Sequence, residues 1–318
     1  MNSTCSDPSE VMDALGRMLA EAGAHSWAVL PAEAVDAEAV RIYESWIALR
    51  RHGTMDYMER YADVRSDPRL LLTPEEGGPA RTLVVCLFSY GHPSQLPQRG
   101  YPRIADYALG RDYHKELRPR LMPAVRMLEA LPGVAARVCI DSAPLRERYW
   151  AERAGLGFVG RNNQLTVPGE GAHFFIATIV TSLELPTRPG AHAGASCPSG
   201  CHACVDACPT GALTGDGSCN TARCVAYLTT ERRDALPADV DMGGNVVGCD
   251  LCRRACPHSL AGRPSCAPAV SPRLTDFPGR DEWLAMDAAE FDRRFAGSAV
   301  RRAGLERIRE AVRSVKKY

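Results

Sequence analysis

At 318 residues the chain is long enough for two domains, or for one large domain with an insert. Its 38 basic and 38 acidic residues cancel, which removes any global electrostatic draw toward nucleic acid or an anionic membrane and leaves only local basic faces. The longest apolar runs, at 83–88 and 174–180, are too short to span a bilayer as helices, and residues 1–11 have no basic stretch leading into an apolar one, so a cytoplasmic protein is expected.

Val11, Leu15, Met18 and Leu19 recur at helical spacing, which predicts a helix over 9–23 ending at Gly23. A second helix is expected over 37–51, with Val40, Tyr43 and Ile47 on one face. Residues 52–58 mix methionine and tyrosine, suited to packing or to lining a flat apolar ligand. Residues 81–88 read as a buried strand. A loop rich in Gly, Pro, Arg and Tyr, 98–110, leads into a helix from Asp112 to 131 whose core face carries Leu117, Leu121, Val125 and Leu128. Asp112-x-His114-x-x-Leu117 opens like the Asp-x-His-x-x-Gly of histidine-ligated cobalamin proteins but lacks the glycine, so His114 reads as a surface or core histidine at a helix start.

Residues 136–140 form a second strand that delivers Asp141 at its end. Asp141 or Ser142 can cap the next helix, with Pro144 in its first turn and Gly155 as its stop. An acid beyond the carboxyl end of a strand is also a functional candidate; on these residues alone the cap is the stronger reading. Gly155-x-Gly157-x-x-Gly160 spells a dinucleotide fingerprint but follows a helix, not a strand, so NAD binding is not expected. Arg161-Asn-Asn-Gln164 offers donors and acceptors that either build a turn or grip a polar ligand rim. Residues 173–182 read as a long strand and 187–199 as a linker. Two helices are expected over 283–295 and 301–315. The second is basic (Arg301, Arg302, Arg307, Arg309, Arg313, Lys316, Lys317), either a solvated face or a nucleic-acid contact.

The most specific signal lies in the cysteines, thirteen in all. Cys197-x3-Cys201-x2-Cys204-x3-Cys208-Pro209 is followed by Cys224 and then by Cys249-x2-Cys252-x3-Cys256-Pro257. In the bacterial ferredoxin run, the cysteine before the proline ligates the other cluster. That rule groups Cys197, Cys201, Cys204 and Cys256 around one [4Fe–4S] cluster and Cys208, Cys224, Cys249 and Cys252 around a second. Structural zinc favours separated Cys-x2-Cys pairs without the further x3-Cys-Pro, and disulfides need an oxidising compartment; zinc is the weaker alternative. Cys5, Cys86, Cys139, Cys219 and Cys266 stay unassigned, with Cys86 and Cys139 expected as small buried hydrophobes.

Asp141-Ser-Ala-Pro144 with Glu147-Arg148, Ala154-Gly-Leu-Gly-Phe-Val-Gly-Arg-Asn162, Cys208-Pro-Thr-Gly-Ala212, Cys224-Val-Ala-Tyr-Leu-Thr-Thr-Glu231 and Gly248-Cys-Asp-Leu-Cys252 together resemble the epoxyqueuosine reductases. The resemblance implies an α+β or α/β cobalamin-binding, nitroreductase-like catalytic domain over 1–186. It implies a ferredoxin-like double [4Fe–4S] module over 187–266 and a helical segment over 267–318. It further implies reduction of epoxyqueuosine to queuosine at the wobble position of tRNA, with electrons from a reductase, flavodoxin or ferredoxin reaching cobalamin through the clusters. Asp141 then matches the proton donor, its carboxyl expected to be raised toward neutrality by an apolar pocket, and so becomes more than a cap. Asp141, Arg161, Asn162, Asn163, Gln164 and Asp250 would approach the corrin. Arg146, Arg148, Arg232, Arg233, Arg253 and Arg254 are the local candidates for tRNA. The chain departs from the family pattern in the x3 spacing after Cys197, where x2 is usual. It departs also in Gly160-Arg161-Asn162, where the family has Gly-Lys-Asn, and in Cys256-Pro-His-Ser259, where it has Cys-Pro-Trp-Asn. A corrinoid reductase acting on a small halogenated molecule and a ferredoxin-type electron-transfer protein are the alternatives.

Overall fold

The computed structural model describes residues 7–91, 102–238, 240–261, 269–270, 273–274 and 276–314; the expectations at Cys5, 98–101, Cys266, 315, Lys316 and Lys317 fall outside them. Asp7 accepts the Ser9 N–H at 3.0 Å and starts α1 (Pro8–Glu21), which buries Val11, Leu15 and Leu19. β1 (Ser26–Pro31) follows, a strand absent from the sequence reading: its apolar run Trp27–Leu30 is short and closes in proline, which a sheet tolerates at its edge. α2 (Ala37–Ala48) is capped by Asp36 and turns Val40, Tyr43 and Ile47 to a half-buried face. Then come α3 (Ala62–Ser66), β2 (Thr82–Ser89, buried throughout), β3 (Arg103–Ile104) and α4 (Tyr113–Glu129). α4 buries Leu117, Leu121, Val125 and Leu128, as their spacing predicts.

β4 (Ala136–Cys139), α5 (Glu147–Arg153), a small hairpin of β5 (Phe158–Val159) and β6 (Leu165–Thr166), and β7 (Phe174–Thr181) complete the first region. The main sheet has the order β1-β2-β7-β4 and every pairing in it is antiparallel, so the architecture is α+β rather than doubly wound. α1 and α4 cover one face through Leu15, Leu19, Leu121 and Phe88, while Trp150 and Ala151 of α5 seal the other. α5 starts later than expected. Arg146 is its N-cap residue, without a side-chain capping bond, and neither Asp141 nor Ser142 caps it. Cys86 and Cys139 are buried in β2 and β4, as their surroundings predict.

The cysteine-rich stretch is built from short pieces: α6 (Ala203–Asp206), α7 (Val225–Thr230), β8 (Asn245–Val247), α8 (Leu251–Arg254) and α9 (Pro257–Ala261). β8 pairs in parallel with β3, which stitches this stretch to the first region. The C-terminal part forms three helices where two were expected: α10 (Arg280–Ala285), α11 (Ala288–Arg294) and α12 (Leu305–Ser314). The first break comes at Asp287, whose carboxylate caps α11 by accepting the Glu290 N–H at 2.8 Å. Gly304, at φ +76, sets the start of α12. Trp283 stacks on Phe295 in a core shared with Ile104, Leu109 and Val246, so the segment closes over β3 and β8. On α12 Arg307 pairs with Glu310 and Arg309 with Glu306, while Leu305, Ile308, Ala311 and Val312 face inward. Among the described residues no helix is long and apolar enough to cross a membrane.

Asp106 locks these regions together. Its carboxylate, fully buried, accepts from Arg253 and, at 2.8 Å, from Arg254, while its own N–H donates to Asp250 at 2.7 Å. Arg253 is only 3% exposed, so it is removed from the set of tRNA-facing arginines: a buried guanidinium cannot meet a phosphate, whereas that of Arg254 still reaches the surface. Asp106→Ala strands that buried charge and is expected to destabilise the fold by about 3–5 kcal/mol. A denaturant titration followed by far-ultraviolet dichroism measures it; a loss under about 1 kcal/mol would show the lock to be dispensable.

Candidate active site and cluster ligands

Cys197, Cys201, Cys204 and Cys256 line a single cavity, bordered by Arg161, Thr166 and His258. Cys208, Cys224 and Cys252 pack around Cys204, Leu213 and Cys219, and the Cys249 thiol lies within electrostatic reach of Cys224 and Cys208. Four of the eight predicted ligands thus line one cavity, and the other four lie near one another and near Cys204. Burial, then repulsion between neighbouring thiols, pushes Cys249 up to about 12 and Cys252 well above 9.0. Such a set fits a centre that deprotonates thiols on binding, because only a bound metal repays crowding that much potential charge together. Backbone donors are already aimed at two sulfurs: Ala212 N–H at Cys208 Sγ (3.3 Å) and Arg161 N–H at Cys197 Sγ (3.4 Å).

Asp141 stands just past the end of β4 in the left-handed region, at φ +57. For a residue with a side chain that conformation costs roughly 1–2 kcal/mol, and it persists only where the surroundings impose it. The Tyr113 hydroxyl donates to Asp141 Oδ2 at 2.9 Å, and His114 Nε2 lies 3.3 Å from the same oxygen. His114 Nδ1 is 2.8 Å from Asp112 Oδ1, and Arg302 reaches Asp112 at 3.2 Å. Tyr113 is itself stacked on Phe175, centroids 4.2 Å apart. The Asp141 side chain is 59% exposed, yet Tyr57, Tyr107, Glu147 and Arg148 all sit within its electrostatic reach. Asp141 therefore stands in a cluster of titratable and aromatic groups drawn from several elements.

The electrostatics correct one expectation. Burial pushes the Asp141 carboxyl up, but hydrogen bonds from His114 and Tyr113, with the charges of His114 and Arg302, outweigh it and hold the group below 3.8. Burial pushes the His114 imidazole down, but its bonds to Asp112 and Asp141 prevail and hold it above 6.5. The proton shared by this pair thus rests on histidine. Burial, then the Asp141 charge, pushes neighbouring Glu147 up to about 8. His114, Tyr113 and Glu147 were missing from the sequence-derived site. The Asp112-x-His114 opening was the available signal, set aside for want of its glycine.

Other expected residues divide. The Arg161 guanidinium turns toward the first cysteine group and donates to Cys201 O at 2.9 Å, so it faces that loop instead of Asp141. Asn162 is buried, its Oδ1 accepting the Gln164 N–H at 3.1 Å, and Gln164 O accepts the Gly160 N–H at 3.0 Å. Asn163, at φ +57, offers its carbonyl to Arg148 and so ties this turn to the Asp141 side. Asp250, expected against the corrin, has its carboxylate held inward by the Asp106 N–H and Arg253. Arg146 donates to Ala39 O at 3.0 Å and lies over Tyr43 and Tyr149; Arg232 donates to Ala235 O at 2.9 Å; Arg233 is exposed.

An α+β domain that sets Asp141 beside Tyr113 and His114, followed by a cysteine-rich stretch whose thiols are packed together, has the make-up of an iron–sulfur oxidoreductase. Residues 197–259 match the model of a 4Fe-4S double cluster binding domain, and residues 65–142 match the one described as "Epoxyqueuosine reductase QueG, DUF1730". The epoxyqueuosine reductase of Xanthomonas campestris pv. campestris is 35% identical over 95% of this chain and 85% of its own; that of Escherichia coli K12 is 32% identical over 82% and 69%. A crystal structure of epoxyqueuosine reductase with an epoxyqueuosine-modified tRNA-Tyr stem loop superposes with TM-score 0.79 over 96% of this chain and 80% of its own, at 24% identity, which shows the shared fold. This chain belongs to the epoxyqueuosine reductase family.

The ion pair predicts a pH signature. Asp141, lowered on folding, contributes stability above 3.8 that is lost as pH falls through its folded value; His114, raised on folding, contributes stability below 6.5 that is lost as pH rises through its folded value. The pair is therefore complete between 3.8 and 6.5. His114→Gln should lower the thermal midpoint most at the acid end of a series from about pH 5.5 to 8.5, and progressively less above the His114 value. A difference that is flat with pH would disprove the pairing.

Proposed function

We propose that the protein reduces the epoxide of epoxyqueuosine to the cyclopentene of queuosine at the wobble position of tRNA, using cobalamin and two [4Fe–4S] clusters. What carries this reading is the Tyr113–His114–Asp141 constellation in a family member that also carries the double cluster module. Cys197, Cys201, Cys204 and Cys256 are assigned to one cluster; Cys208, Cys224, Cys249 and Cys252 to the other. Tyr57, Tyr107 and Tyr113 lie around Asp141 and would offer a large, flat cofactor aromatic surface to pack on. Cobalamin, when bound there, supplies low-potential electron chemistry that no side chain can perform. Asn162, Asn163, Gln164 and Asp141 would hold it, with Arg161 and Asp250 bracing from behind.

Converting an epoxide to an alkene and water consumes two electrons and two protons. The protein's share is proton delivery and orientation. Asp141 gives a proton to the epoxide oxygen as the carbon–oxygen bond opens, and His114, the resting holder of that proton, resupplies it through Oδ2. Tyr113 fixes the oxygen through which this transfer runs. Such a relay lets a carboxyl act as an acid near neutrality although its own affinity for a proton is low. Arg146, Arg148, Arg232, Arg233 and Arg254 remain the candidates for tRNA phosphates, each a local contact on a chain of zero net charge. The reading places the protein in the cytoplasm with its tRNA, and a flavodoxin or ferredoxin class of donor fits one-electron entry at the clusters.

The test uses anaerobically reconstituted protein, a chemical reductant and tRNA bearing epoxyqueuosine, with nucleoside products separated by mass. Wild type should form queuosine, and Asp141→Asn should lose about 100-fold or more in rate; absence of conversion by wild type rejects the activity, and an undiminished variant rejects the acid. For the clusters, iron should stand at about eight per chain, and Cys197→Ala and Cys256→Ala should each lower it to about four with the same spectral loss. Different losses in those two variants would break the assigned grouping.

A further inference from the structure

We propose that Glu147 is a positioning residue, whose carboxyl latches the strained Asp141 turn in the pose that presents Oδ2 to Tyr113 and His114. The inference rests on the reading of Asp141 as the proton donor. The last sheet pairing of β4 is Cys139 with Thr178, so the Asp141 N–H has no strand partner. Glu147 Oε1 accepts that N–H at 2.8 Å. Between the two residues the chain folds on itself through tight bonds from Ser142 N–H to Ile140 O, Leu145 N–H to Ala143 O and Glu147 N–H to Leu145 O. These turns bring the start of α5 back over Asp141. The acceptor is rigid because Trp150 and Ala151 anchor α5 in the core, at 3% and 0% exposure. A strained φ held by a hydrogen bond from a fixed helix is a latch: without the acceptor that bond is lost and the turn relaxes toward negative φ.

The electrostatics agree with this placement. Glu147 is faced by Asp141 from the β4 end, by Arg148 on its own helix and by His114 from α4. Two ionised carboxylates side by side would repel and open the turn. Burial and the Asp141 charge push Glu147 up to about 8, so near neutrality it keeps its proton and latches without repulsion.

Two substitutions separate the acceptor from the charge. Glu147→Gln retains a carbonyl oxygen at the same reach, whereas Glu147→Ala removes it. In the reconstituted full-length protein, hydrogen exchange of the peptide spanning 140–147 should speed up about ten-fold or more in Glu147→Ala and stay near wild type in Glu147→Gln. The turnover number of Glu147→Ala should fall about 100-fold while its KM for tRNA changes less than about three-fold, with Glu147→Gln restoring most of the loss. Iron content and thermal midpoint serve as controls for folding. Unchanged exchange in Glu147→Ala overturns the latch whatever the activity, and so does a Glu147→Gln as impaired as Glu147→Ala. If wild type fails to reduce the modified tRNA but the exchange pattern holds, the latch stands and the proposed function falls.

Discussion

A buried carboxylate between two arginines costs a great deal to desolvate, and a protein keeps one only where the geometry returns that cost. Asp106 holds Arg253 and Arg254 of α8, the helix that carries Cys252 and ends just before Cys256. It therefore fixes the second cysteine group against the chain segment that leads from β3 to Asp112 and His114. The thiols and the acid lie far apart in sequence, and this interior ion network, with the β3–β8 pairing, sets them in one frame. Electron entry and proton delivery can then share an address without a continuous secondary-structure element between them.

Around Asp141 the environment separates the proton affinities of neighbouring groups. Asp141 is lowered, while His114 and Glu147 are raised, although all three are packed against one another. Desolvation alone would raise both carboxyls. What distinguishes them is that Asp141 receives the Tyr113 and His114 donors while Glu147 receives a backbone N–H and faces a negative neighbour. The same packing that strains the Asp141 backbone thus decides which groups hold a proton and which one stays ionised.

Much of this was legible in the sequence. Helices α1, α2, α4 and α5 and three of the four sheet strands follow from periodicity, because each is specified by neighbours close along the chain. Asp141 was legible as an acid after a strand. Its role as a cap was not upheld, because the chain first makes a compact turn and only then begins α5. His114 was discounted because a motif's missing glycine says nothing about which strand end will arrive beside the imidazole; that is a tertiary fact. Asp250 and Arg253 read as outward-facing charges, and only their pairing with Asp106, well over a hundred residues away in sequence, turns them inward. Charged residues near a site motif are weak guides for this reason: a partner distant in sequence decides their direction.

Two departures from the family pattern answer each other in the structure. The longer Cys197-x3-Cys201 spacing adds a residue to the loop, and Gly200 takes it up at φ +69, a conformation open to glycine at no steric cost. The lengthened turn closes through Cys201 N–H to Pro198 O at 3.1 Å, which leaves two carbonyls on one side, Pro198 O and Cys201 O. Arg161, where the family carries lysine, places Nη1 3.4 Å from the first and 2.9 Å from the second, while its own N–H meets Cys197 Sγ. A planar guanidinium can hold two acceptors in a fixed direction, whereas an ammonium on a flexible stem acts as a point charge. The lengthened loop and the arginine are therefore in direct contact, and the Arg161 backbone N–H reaches the thiol of Cys197, the cysteine at the unusual spacing.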